Sequence, residues 1–143
     1  MSFNNSFGNY NHWNYNKKNK DISLKYVYKK NALEFNCQKK SLFLYVKTDV
    51  NIHSDIQSSR VKLIIDNKHK YYFQGLSRNN SLYETSVVLG KYKNDIFNKI
   101  SNAKKIRIQV ASLYNIQDST YFDISLNNIF FDNMKKLKNE CYN

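Results

Sequence analysis

The stretch from Lys104 to Cys141 constrains the fold more than any other part of the chain. Ile106, Ile108 and Val110 alternate with Lys105, Arg107 and Gln109, the period-two pattern of a strand with one buried face and one wet face. Phe122, Ile124 and Leu126 alternate with Tyr121, Asp123 and Ser125 in the same way. The period then changes. Leu126, Ile129, Phe130, Met134, Leu137 and Cys141 recur at the spacing of one helix face. The expected end of the fold is therefore strand, strand, amphipathic helix. That helix runs over 126–140 and lays Ile129, Phe130, Met134 and Leu137 on a sheet.

Upstream, short apolar alternations follow one another. Ile22, Leu24, Tyr26 and Tyr28 form one, then Leu33, Phe35 and Cys37, then Leu42, Leu44 and Val46. Polar pairs such as Lys29-Lys30 and Lys39-Lys40 separate them and suit turns. Residues 49–58 read as a loop. Val61, Leu63 and Ile65 make a strand, Asp66-Asn67-Lys68 a turn, and Tyr71 and Phe73 a return strand that closes at Gly75. Residues 77–81 read as a polar turn and 82–89 as a further strand. Ile96, Phe97, Ile100 and Ala103 then mark a short helix over 92–102, with Asp95 in its first turn, where the helix dipole favours a carboxylate. Eight or so short strands and two helices point to a mostly β chain. The expectation is an antiparallel β-sandwich-like domain with a short helix and a C-terminal amphipathic helix.

The chain has 143 residues, the size of one domain with one substantial core. Residues 1–12 read as a flexible Asn-rich segment and 13–143 as the domain, with Trp13 beginning the ordered part. No apolar run is long enough for a membrane span. The first 20 residues lack the apolar region of a secretory signal. The expected location is the periplasm or cell envelope if a leader has been removed, and otherwise the cytoplasm.

The formal net charge is +12, which invites a nucleic-acid or membrane-surface reading. Two observations weaken it. The basic residues are almost all lysine, with only Arg60, Arg78 and Arg107 as arginine, and there are 22 asparagines, 12 tyrosines and no proline. These are products of AT-rich codons, which yield a basic chain without selection for a polyanion. The lysines are also dispersed along the sequence, whereas phosphate patches are concentrated and use arginine for bidentate contacts.

Catalytic signatures are missing. His12, His53 and His69 sit in polar stretches and read more simply as solvated side chains than as bases or ligands. Asp66 with Asp49 and Asp55 makes an imaginable carboxylate cluster, yet Asp66 is more simply a turn former. With Gly8, Gly75 and Gly90 the only glycines, no phosphate-cradling loop is available, and no nucleophile elbow or kinase signature appears. A small hydrolase is the least favoured reading, because no residues share a spacing that suggests joint chemistry. No cofactor and no metal site is expected. The aromatics offer one alternative. Tyr71 and Tyr72 lie beside Lys68 and Lys70, and lysine-bordered aromatic strands can stack single-stranded bases. The simpler account is that Tyr and Phe suit pleated surfaces.

The order of elements resembles the TagO/VasI-like family of type VI secretion-associated envelope proteins. The resemblance spans residues 13–141. It is carried by Trp13, the Leu33-Glu34-Phe35-Asn36-Cys37 strand, Leu42-Phe43-Leu44-Tyr45-Val46, Val61-Lys62-Leu63-Ile64-Ile65-Asp66, the helix at Ile96 to Ile100, and the strand-strand-helix-Cys ending. It departs at Ser125-Leu126, where the family has Ser-Gly. The resemblance implies a non-enzymatic accessory or protein-interaction module whose partner is an envelope or secretion-system component. The two cysteines are too far apart for a zinc motif. They are either reduced, one in the core and one near the terminus, or joined. The resemblance favours a Cys37–Cys141 disulfide, which needs an oxidising compartment.

Overall fold

The computed structural model describes residues 13–48, 57–80, 82–112 and 119–142. In chain order the elements are β1 (Trp13–Lys18), β2 (Asp21–Tyr28), β3 (Asn31–Gln38), β4 (Ser41–Thr48), β5 (Gln57–Ile65), β6 (His69–Asn80) and β7 (Leu82–Val88). A 3₁₀ turn (Gly90–Tyr92), α1 (Lys93–Ile100), β8 (Lys105–Ser112), β9 (Ser119–Ser125) and α2 (Asn128–Tyr142) follow. The strands form one nine-stranded sheet in the order β1-β2-β3-β4-β7-β6-β5-β8-β9, and every pair is antiparallel. The mostly antiparallel β class and the two helices are as expected. The sandwich-like part is not seen as two separate sheets, since hydrogen bonding runs unbroken from β1 to β9.

Period-two patterning decides which face is covered. On the inner face Leu24, Phe35, Leu44 and Val87 stand in one cross-strand row. In the other half Tyr71, Leu63, Ile108 and Phe122 form a second such row. Both rows belong to a single buried cluster, so the two halves of the sheet share one core. Removing this apolar surface from water is the main stabilising term, at about 25 cal/mol per Å² buried.

The two helices bury their apolar faces in that cluster. Asn127 caps α2: its side-chain oxygen accepts a hydrogen bond from the Phe130 N–H at 3.0 Å, satisfying a donor the first turn leaves free. Phe130, Met134, Leu137 and Cys141 then face inward. The Phe130 ring lies 4.6 Å from Trp13 and 6.4 Å from Phe35. Ile129, expected in this stripe, is instead 44% exposed. It precedes Phe130 by one residue, a rotation of about 100° about the axis, and Leu126 lies ahead of the helix. α1 buries Ile96, Phe97 and Ile100. It touches α2 where the rings of Phe97 and Tyr142 meet edge-on at 5.8 Å and where the Tyr142 hydroxyl and the Asn94 side-chain oxygen are 3.2 Å apart.

Turns bring further differences from expectation. β6 does not close at Gly75. It continues to Asn80, which pairs with Leu82. Residues 77–80 are thus strand; their polar composition hid a hairpin arm. β1 is a further strand in which only Trp13 and Tyr15 are apolar, as suits a sheet edge. Asp66 is a turn residue with φ 53°, and its carboxylate also clasps β8, accepting from the Lys104 and Lys105 N–H groups at 2.8 and 3.0 Å. The 1–12 segment, most of the 49–58 loop, Asp49, Asp55, His12 and His53 lie outside the described residues.

Candidate functional site

The outer face of the sheet is where the alternation fails to become polar. The run Leu42-Phe43-Leu44-Tyr45-Val46 in β4 is apolar on both faces. Leu42, Leu44 and Val46 are buried, while Phe43 and Tyr45 project outward and are half-buried. Their rings stack at 6.2 Å with planes 11° apart. β4 sits mid-sheet, so neighbouring strands extend this patch. Val88 stands opposite Phe43, and Ser86 opposite Tyr45, with Leu76 beyond Ser86 on β6. Leu76 is 54% exposed and Val88 55% exposed.

Tyr45, Ser86 and Leu76 border a trough of about 490 Å³ whose walls also include Lys25, Glu34 and Lys47; Phe43 and Val88 lie beside it in the next row. Its size lies within the range of ligand clefts. One end is polar. Asn36 is buried and donates to Asp21 at 3.0 Å and to Glu34 at 2.8 Å. Burial, with the charges of Glu34 and Asp21, raises the Tyr45 phenol above its ordinary value, so its hydroxyl stays protonated at neutral pH. The trough thus offers an aromatic and aliphatic floor, flanking cations and one carboxylate.

The residues singled out for base stacking are divided between the two faces. Tyr71 is buried on the inner face and its hydroxyl donates to Asp95 of α1. Burial first, then that hydrogen bond and the Asp95 charge, raises its phenol well above the ordinary value. Tyr71 is therefore a packing residue that fixes α1, not part of a surface. Tyr72 points outward and is 54% exposed; Lys68 and Lys70 are exposed as well. The neighbouring cation over the Tyr72 ring is Lys62, at 5.3 Å. Directly across β5, β8 and β9 the row continues through Gln109 to Tyr121, which is 56% exposed. Arg107 lies 4.2 Å over that second ring and holds Asp123 by two hydrogen bonds of 2.7 and 3.0 Å. Tyr121 was legible only as an outward strand position; nothing in the sequence places it in a row with Tyr72.

Cys37 and Cys141 stand with their sulfurs 2.01 Å apart and Cα atoms 5.8 Å apart, both buried. The pair joins the end of β3 to the end of α2. Among the described residues, no three His, Cys, Asp or Glu side chains gather in a way that could hold a metal ion. His69 is half-buried beside the Asp66 turn. No described helix is long and apolar enough to cross a membrane.

Comparison with protein-family models, with curated proteins and with solved structures finds no match to this chain.

Proposed function

We propose that this protein is a non-enzymatic interaction module that binds a protein partner through the outer face of its sheet. The partner is an envelope or secretion-system component, as the TagO/VasI-like resemblance implies, and the compartment is oxidising. The observation that carries the reading is the uncovered apolar patch on β4, β7 and β6. Phe43, Tyr45, Leu76 and Val88 occupy positions that an outward-facing strand ordinarily fills with polar residues. Contiguous exposed apolar surface rimmed by charge is characteristic of interaction sites. The Cys37–Cys141 pair supports the compartment, because disulfides persist where thiols are not kept reduced.

A photocrosslinker at Ser86, inside the trough, tests this in the native organism. The expected result is one protein captured there and not from a crosslinker at Lys135 on the exposed side of α2. Leu76→Asp and Val88→Asp should abolish capture while leaving the melting temperature close to that of the parent. Capture that survives both substitutions would remove the assignment.

One observation favours a second reading, single-stranded nucleic-acid binding. Tyr72 and Tyr121 lie in the same outer-face row, each beneath a cation, separated by about three strand spacings or ~14 Å. A binder of this kind loses ~1–3 kcal/mol per stacking residue replaced by alanine. It also shows a steep fall of affinity with salt. Titration of single-stranded DNA against Tyr72→Ala and Tyr121→Ala decides this. Weak binding at low salt that ignores both substitutions belongs to the general +12 charge.

A further inference from the structure

Lysines far apart in sequence converge at one end of the sheet. The β1–β2 turn carries Asn19 and Lys20, and the β3–β4 turn carries Lys39 and Lys40. Antiparallel pairing puts both turns at the same end, beside the last turn of α2. With Lys17 they border a pocket of about 460 Å³, whose inner wall includes Ile22 and the Cys37–Cys141 pair. One carboxylate, Glu140, is present at the pocket, and Lys17 holds it at 2.5 Å. Among the described residues Lys20, Lys39 and Lys40 form no ion pair, so positive charge is left in excess.

The choice of residues at the β3–β4 turn is unusual. Lys39 and Lys40 both adopt left-handed backbone, with φ 51° and 68°. Two-residue hairpin turns of this type favour Asn-Gly, because side chains with a Cβ are strained there. Codon bias does not account for lysine, since AT-rich codons supply asparagine as readily, and the chain has 22 of them. Asn19, Asp66 and Asn67 take the expected residue types at other left-handed positions. Lys29 is a further left-handed lysine, but its turn lies at the opposite end of the sheet. Local backbone strain retained at a concave cationic site is a pointer to function.

We propose that Lys17, Lys20, Lys39 and Lys40 form a binding site for a phosphate-bearing ligand with two or more negative charges. Lysines act on phosphate as point charges without bidentate geometry, which suits lysines that line one pocket from the end of β1 and from two neighbouring turns. A volume of about 460 Å³ accommodates a diphosphate or a phosphorylated headgroup. The site lies apart from the outer-face trough and does not depend on what that trough binds.

The test uses a variant that removes charge while relieving strain. Lys39→Asn with Lys40→Gly fits the turn better than the native pair, so its melting temperature should rise and lost binding cannot be blamed on misfolding. The control, Lys29→Gly with Lys30→Asn, removes the same charge at the far end of the sheet. Inorganic pyrophosphate is titrated by calorimetry at about 0.15 M salt, where dispersed surface charges are screened. Vesicles of phosphatidic acid in phosphatidylcholine, against phosphatidylcholine alone, form the second arm. The expected result is binding in at least one arm, weakened about tenfold or more by the pocket variant and by less than about twofold by the control, since each tenfold is 1.4 kcal/mol. Binding of pyrophosphate assigns a soluble phosphate ligand; binding confined to the phosphatidic acid vesicles assigns a lipid headgroup. No binding in either arm, or equal weakening by both variants, overturns the site.

Discussion

The γ1 methyl of Val87 lies 2.4 Å from where a Cβ on Gly75 would stand, and the Ser86 carbonyl oxygen lies 2.3 Å from the same point. Gly75 is thus where β7 closes onto β6, and the missing side chain lets Val87 fill the inner face. Gly75→Ala should destabilise the protein by about 3 kcal/mol, the upper range for overpacking. Adding Val87→Ala should not restore the parent value, because a backbone oxygen also obstructs the new methyl. Urea denaturation of the three variants checks this. A Gly75→Ala curve that overlays the parent would contradict the close approach.

The neighbouring residues Ile129 and Phe130 should respond oppositely. Phe130 is fully buried against Trp13 and Phe35, whereas Ile129 is largely exposed. Phe130→Ala should cost roughly 3–5 kcal/mol, and Ile129→Ala no more than about 0.5 kcal/mol. Thermal melting of both variants measures the contrast. Equal losses would mean that α2 is rotated from its described orientation.

Cys37 and Cys141 enclose most of the chain, with a sequence separation of 104. Protein isolated under non-reducing conditions should weigh about two daltons less than after reduction, from loss of two thiol hydrogens. Replacing both cysteines by serine should lower stability by about 5 kcal/mol on the chain-entropy account of a loop this long. Two alkylatable thiols in protein taken from its native compartment would contradict the pairing and the oxidising location together.

Asp66 should make the protein acid-sensitive. Burial opposes its ionisation, yet the Lys104 and Lys105 N–H groups and the nearby lysine charges outweigh this and hold its carboxyl below the ordinary value. Its folded form therefore binds a proton less readily than the unfolded chain. The resulting stability is complete above the unfolded carboxyl value of about 4 and is lost as pH falls through the lower folded value. Asp66→Ala should cost about 2 kcal/mol at neutral pH from two lost hydrogen bonds. Its stability should also change less steeply below about pH 4 than the parent's. Denaturant midpoints across that range report both effects; identical pH profiles would exclude the clasp.

Strict alternation made β8 and β9 readable, because the inward positions Ile106, Ile108 and Val110, and Phe122 and Ile124, are apolar between largely polar outward ones. The start of α2 was misjudged because Leu126 and Ile129 share the helical spacing with Phe130, yet Asn127 caps the helix after Leu126 has ended the strand region. β1 and the far arm of β6 carry too few apolar residues to show a period. The patch on β4 was visible in principle, as a five-residue run apolar at both parities. The four-lysine pocket was not, because Lys17 and Lys20 meet Lys39 and Lys40 only through the pairing of β2 with β3. Local pattern reports which face a residue takes, while convergence depends on which strands become neighbours.

The strand order also carries a timetable for assembly. From β1 to β4 every strand pairs with its immediate predecessor across a two-residue turn, and closing such short loops takes microseconds or less. The β4–β7 seam instead joins Phe43 to Val88 and Thr48 to Tyr83, and the β5–β8 seam joins Ser59 to Ser112 and Ile65 to Ile106, so their formation waits on a far larger search through chain conformations. The expected rate-limiting event is the zipping of these two seams among the β1–β4 meander, the β5–β7 meander and the β8–β9 hairpin, which form locally. Substitutions in the seam strands β4, β7, β5 and β8 would then slow folding, whereas contacts made only after the seams close would govern how long the native protein survives before opening.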